Sequence, residues 1–539
     1  MDRLPEEIIA NIISHVAGDG GTTPPRVLAP YAAMSRRWQR CVEAMTFAHV
    51  TLTPARMASP LAAQALTPDR VCRFVRSVRV DILLPPYDEG ARARREVDAE
   101  KTEADAVFTG LVRRVFALLS PSRGTDHCGG DGRVGQKQRE QRPGIDDTTG
   151  HRPQIRLSMT ARCVSDTEDM EARRYRRNVG ATSTEDIFEA RYEGSYLDLR
   201  PRAEKSVQDE AEALPELHCV SQFHVEATPG SGCRYFAPRA LCLMASRMSG
   251  LETVHWELCD NEKRDVALRR KLRADFANSL PTLPPTLQHF NLLYDRRLPN
   301  DHSFQTRSIL DETDQDNDKL SLALHMLSQR LTTFDLIAVV GPEILWPSEP
   351  ELVPHQQQGD DLPLWSRMRR YTIDPGAIAP SGKWRFRRRL DDYASDSDGG
   401  ADSYFSAHRA AVTAPGDEKE DPFREELDPD AVGHLLLAAA RAAGRMPALR
   451  SMFFALDSAL GNGSGRLEVS YTANRDKPPA GNDGGGVAVV GAGTAKLHVE
   501  SHPEFYPDEE VMQAWREAAR EHVGAESELG VTIKDSMEW

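Results

Sequence analysis

Two sets of histidine, carboxylate and cysteine at strand spacing stand out in this chain: His224 with Glu226, and His255 with Glu257 and Cys259. Residues two apart on a strand point to one face, so each set has ligand geometry in principle. Zinc asks for three or four ligands, however, and no CxxC or HExxH motif supplies the rest, so satisfied polar residues on a strand are the simpler reading. The run VAVVGAGTAKL raises dinucleotide binding, because Gly491 and Gly493 follow a β-like stretch. Lys496 takes the next glycine position, and a strand begins where the phosphate-binding helix would start, which leaves no helix N-terminus to hold an anion. Lys383 to Arg389, KWRFRRR, interleaves aromatic and basic residues, a composition suited to nucleic-acid contact or nuclear import. An acidic stretch follows directly and can neutralise it within the chain. No GxSxG elbow, Walker lysine loop, kinase set or zinc-ligand array is present, so neither catalysis nor a cofactor or metal is expected.

The chain that must position these residues has 539 of them and a net charge of −15. That length suffices for a sizeable core, in two or three domains or in one small domain followed by an elongated array. The negative balance argues against general nucleic-acid binding, which needs a basic face. Eight scattered cysteines without paired spacing read as reduced thiols. No apolar run reaches the roughly 20 residues of a membrane span, and the acidic start MDRLPEEII has no leader-like pattern. A location in cytoplasm or nucleus is expected.

At the N-terminus, Pro5 suits a first helical position, and Glu6 and Glu7 sit where the helix dipole favours negative charge. Ile8, Ile9, Ile12, Ile13 and Val16 then lay an aliphatic stripe along one helix. After the turn-rich GDGGTTPP, Val27, Leu28 and Tyr31 fit a short second helix. Met34, Trp38, Cys41 and Val42 fit a third, which Ser35 caps. Three such helices hide little surface by themselves, and the isoleucine stripe exceeds what they can cover. An exposed apolar patch of that kind marks an interface.

LPEEIIANIISHV followed by LAPYAAMSRRW is similar to the F-box pattern of an opening Leu-Pro, an aliphatic helix and a Ser-Arg-Arg-Trp element, and it covers about a tenth of the chain. The resemblance implies that Leu4, Pro5, Ile8, Ile9, Ile12, Leu28, Met34 and Trp38 contribute to docking on the Skp-type adaptor of an SCF-type cullin-RING ubiquitin ligase. The segment from Gly18 to Arg26 is longer and richer in glycine and proline than the compact F-box linker. With the remainder of the chain, the order resembles fungal F-box proteins that carry a leucine-rich-repeat-like C-terminal region. FVRSVRVDILLPPYD, MSGLETVHWEL and MPALRSMFFAL carry that likeness.

Beyond the helices an apolar triplet spaced +3 and +2 recurs: Val220-Phe223-Val225, Leu251-Val254-Trp256, Leu287-Phe290-Leu292, Leu331-Phe334-Leu336, Met368-Tyr371-Ile373 and Leu449-Met452-Phe454. Helical periodicity separates several of them, over 238–247, 265–280, 319–331 and 430–445. Val75-Val78-Val80 and Ile155-Leu157-Met159 read as earlier strands with a helix over 104–119 between them. Strand then helix, repeated, predicts parallel strands with helical crossovers, and the unit length of 30 to 45 residues fits an irregular leucine-rich-repeat-like solenoid. A doubly wound α/β domain would produce the same pattern.

The expected organisation is α/β: a helical domain over 1–50, a linking region over 51–119, a disordered loop over 120–152, a repeat-like region over 153–389, an acidic insertion over 390–426 and a C-terminal part over 427–539. In the insertion, Ser395 and Ser397 lie among aspartates, which suits acidophilic kinases or plain solvation. The C-terminal part is expected to hold a hairpin of 467–472 and 495–500 around a glycine-rich tip, then a helix. The function these features imply is a non-catalytic substrate-recognition adaptor, with an unknown target protein on the repeats. The alternative is an interaction scaffold whose N-terminal helices cap the array.

Overall fold

The computed structural model describes residues 4–17, 28–92, 94–120, 154–166, 191–201, 206–227, 233–310, 317–347, 364–388, 415–417, 421–458, 465–474, 494–524 and 528–535. The turn-rich segment after the first helix, the loop over 120–152 but for Ser120, most of the acidic insertion with Ser395 and Ser397, and the glycine-rich tip with Gly491 and Gly493 lie outside the described residues.

Three helices open the chain: α1 (Glu6–Ala17), α2 (Ala29–Ala32) and α3 (Arg36–Thr46). The amides of Ile8 and Ile9 bond back to the Pro5 carbonyl, which starts α1 at the proline. The Ser35 hydroxyl accepts from the Trp38 amide at 3.5 Å and caps α3. Ile9, Ile13, Leu28, Trp38 and Val42 form a small core of their own, separate from the main one.

The rest of the fold is a sheet of twelve strands: β1 (His49–Leu52), β2 (Ser77–Leu84), β3 (Ile155–Cys163), β4 (Val220–Glu226), β5 (Thr253–Cys259), β6 (His289–Asp295), β7 (Thr333–Ala338), β8 (Arg370–Asp374), β11 (Ser451–Asp457), β12 (Arg466–Asn474), β13 (Thr494–His502) and β14 (Leu529–Asp535). Between β8 and β11, β9 (Phe386–Arg388) and β10 (Arg424–Leu427) pair with each other as an antiparallel ribbon. Spatial order follows chain order throughout. Neighbours are parallel except for the pairs β11–β12 and β12–β13.

Helices make the crossovers, and four of them start at the same kind of cap. Asp265, Asp318, Asp428 and Asp508 each accept first-turn amides of the helices Val266–Ser279, Lys319–Ser328, Pro429–Gly444 and Glu509–Val523. An N-cap aspartate satisfies orphan donors and complements the helix dipole. These helices cover one face of the sheet. On β2, β7, β8 and β11 every second side chain is buried, while those between are half-buried or exposed. A doubly wound sheet buries both faces, so this alternation excludes it.

The repeated triplets supply the buried face. Phe223, Trp256, Phe290, Phe334 and Tyr371 form an aromatic row across β4 to β8, with ring centroids 5.1 to 6.1 Å apart. Edge-on and offset ring pairs of this kind add to the area they bury. A buried charge chain ties the same units at the strand ends. Asp260, after β5, accepts from Arg269 at 2.9 and 2.6 Å and from Arg273 at 3.0 Å, and Arg273 reaches Asp318 at 2.8 Å. Burial alone pushes the Asp260 carboxyl up, yet Arg269 and Arg273 hold it below its ordinary range.

Candidate docking surface on the N-terminal helices

The aliphatic stripe of α1 divides by one residue. Ile9 and Ile13 are fully buried in the small core, whereas Ile8 is 44% and Ile12 36% exposed. A helix turns about 100° per residue, so a stripe of adjacent pairs presents two columns, one inward and one outward. Met34, in the turn before α3, is 46% exposed. Leu4 is half-buried and Pro5 exposed. Leu28 and Trp38 are buried, with Tyr31 stacked on Trp38 at 6.1 Å.

Of the eight residues expected to dock, Ile9, Leu28 and Trp38 are thus core side chains that fix the helices rather than surface groups. Leu4, Pro5, Ile8, Ile12 and Met34 remain accessible. Polar contacts hold the α1–α3 angle from outside the core: Arg40 pairs with Glu6 at 2.6 Å and Arg37 reaches the Leu4 carbonyl at 3.5 Å. Towards the sheet, Arg70 pairs with Glu43 at 2.8 Å and lies over the Phe47 ring.

The open sheet face is the second candidate surface. Parallel register sets His224 beside His255 with ring centroids 5.3 Å apart, and His255 meets Glu257 at 3.2 Å. They line a cavity of about 650 Å³ together with Arg76, Arg156 and Glu226. Burial first, then Arg156 and His255, pushes the His224 imidazole down to about 4, so it is neutral near pH 7. Cys259 is not part of this group. The alternation of β5 breaks at its end, and Cys259 is buried against Tyr192 and Tyr235. Among the described residues, no cluster of three or more His, Cys, Asp or Glu is arranged to hold a metal.

The basic run is mostly structural. Trp384, Arg385 and Phe386 are buried. Arg385 donates to the carbonyls of Pro375, Gly376 and Val340, Arg387 pairs with Glu426 at 2.6 Å, and Arg388 lies over Phe423. Of the described cations in this run, only Lys383 and Arg388 are exposed. At the other motif, β13 begins at Thr494 and places a strand where a phosphate-binding helix would start. No described helix is long and apolar enough to cross a membrane. No protein-family model and no curated protein sequence matches this chain.

Proposed function

We propose that the chain is a non-catalytic adaptor of an SCF-type cullin-RING ubiquitin ligase: the N-terminal helices are an F-box that docks a Skp-type adaptor, and the strand array is an irregular leucine-rich-repeat-like solenoid that binds a target protein. The observation that carries this reading is the exposure of Ile8, Ile12 and Met34 on a unit whose own core is already closed. Ile8 and Ile12, on two successive turns of one helix, leave part of their surface in solvent, and a partner that covers it gains about 25 cal/mol per Å² of apolar area. Sequential strand order, mostly parallel pairing and one-sided helix cover support the solenoid reading, because stacking such units yields an open sheet face for a partner.

A scaffold in which the helices merely cap the array is favoured by one observation, the Glu43–Arg70 pair that ties α3 to the segment leading into β2. A partly exposed ion pair of this sort contributes about 1 kcal/mol or less, too little to define a cap. Co-purification of the full chain with a purified Skp-type adaptor separates the two. The adaptor reading predicts a stable complex, and its absence with well-folded protein favours the scaffold.

A further inference from the structure

The polar face of the sheet is not uniform: the cavity of the histidine pair mixes arginines with Glu226 and Glu257, whereas a second concavity carries charge of one sign. At the strand ends of β8, β11, β12 and β13 a cavity of about 590 Å³ is lined by Arg369, Arg450, Lys496, Thr472, Asn474 and Thr494 among others, and among the described residues no carboxylate lines it. Arg369, Arg450 and Lys496 are exposed. Register puts Arg370, Ser451, Thr472 and Lys496 side by side across four strands, a width of roughly 14 Å at about 4.8 Å per strand. Arg370 on the rim is already held by Asp335 at 3.1 Å, whereas the three lining cations pair with no carboxylate among the described residues.

We infer that this cavity binds an extended, carboxylate-rich peptide segment of a partner protein. The inference rests on the reading of the array as the target-binding arm and is independent of what α1 docks. Three like charges in one concavity repel each other, and an acidic ligand would relieve that repulsion. Guanidinium groups take carboxylates in paired hydrogen bonds. Two threonine hydroxyls and an asparagine amide add neutral donors around them. An extended peptide rises about 3.3 Å per residue, so the width accommodates about four residues, enough for a short acidic run.

The test is fluorescence anisotropy of the full chain with a labelled peptide carrying four consecutive glutamates between Gly-Ser flanks, beside the same peptide with glutamines. The expected result is saturable binding of the glutamate peptide only. Arg450→Glu should weaken it on the order of tenfold. Arg450→Gln and Lys496→Gln, with retained circular dichroism, should weaken it less and guard against a misfolded variant. Arg520→Glu, on the helix Glu509–Val523 outside the cavity, should leave it unchanged. Equal binding of both peptides, or equal loss with Arg520→Glu, would overturn the inference. A single phosphoserine in a glutamine background that outbinds the glutamate peptide would reassign the cavity to a phosphoryl group and also overturn it. Retained peptide binding by an Ile8→Asp, Ile12→Asp variant keeps this result separate from adaptor docking.

Discussion

The helical unit and the strand array solve the problem of apolar surface in opposite ways. The array places its apolar triplets inward, stacks them into one continuous core and gives the open sheet face to polar side chains. The α1–α3 unit closes a core of five buried residues and leaves aliphatic side chains outside. Of the eleven large apolar residues exposed among those described, Ile8, Ile12, Met34 and Met45 fall within the first 46 residues, while the others are scattered singly over the array. Single exposed apolar residues are normal for any surface, whereas four on a unit this small are the feature on which the proposed docking role rests. Under the proposed function the two regions would take different partners: an apolar one for the helices and a polar one for the sheet.

The sharpest way to break the contrast is to attack one region and watch the other. Asp260→Ala leaves Arg269 and Arg273 buried without their shared carboxylate and should destabilise the array by about 3–5 kcal/mol in urea unfolding. The helical unit has no buried charge chain among its described residues and should fail by packing instead. Trp38→Ala should cost it about 3–5 kcal/mol. Hydrogen exchange should then show α1 and α3 amides opening while β4 to β8 stay protected; simultaneous opening would mean one cooperative core.

Acid should act on the array through His325. Its ring meets the Ile344 carbonyl at 3.0 Å and stands edge-on to Trp365. Burial pushes the imidazole down to about 4, against a smaller upward pull from that carbonyl. A depressed folded pKa means that stability present above the ordinary value of 6.5 is lost as pH falls towards 4, on the order of 3 kcal/mol for this group. Burial pushes the neighbouring Glu343 carboxyl up to about 7, so its contribution runs the other way and declines as pH rises through that window. His325→Asn should therefore flatten the loss on acidification relative to the wild type in thermal melts. An unchanged acid limb would remove His325 from the account.

Much of the array was legible in the sequence because each unit repeats a physical signal. The triplets land on β4 to β8 and β11, helices form over the periodic stretches between several of them, and the hairpin of β12 and β13 follows its period-two pattern. The four-residue β1 carries too few apolar residues to announce itself, β14 alternates Leu529, Val531 and Ile533 but stands alone at the sheet edge with little burial, and the helices between Pro54 and Phe74 are single turns or little more. The charge chains were invisible for another reason. Glu96 and Arg234 meet at 2.7 Å across 138 residues of sequence, Arg273 and Asp318 at 2.8 Å across 45, and spacing alone cannot pair them. On α1 the stripe itself was legible, but which of its two columns faces inward depends on where α3 packs. The F-box resemblance implies docking roles for residues of both columns, and the packing of α3 is what separates the inward Ile9 and Ile13 from the outward Ile8 and Ile12.

The central claim is that the outward column of α1 serves a partner and not the fold, and a single comparison tests it. The wild type and an Ile8→Asp, Ile12→Asp variant, their stabilities compared by urea unfolding of separate samples, are each mixed in the folded state with a purified Skp-type adaptor and passed over a sizing column. Because both side chains are exposed, the variant should unfold within about 0.5 kcal/mol of the wild type, co-elute with nothing and leave the wild type alone in complex. A variant that still binds, or a folded wild type that never does, would contradict the account.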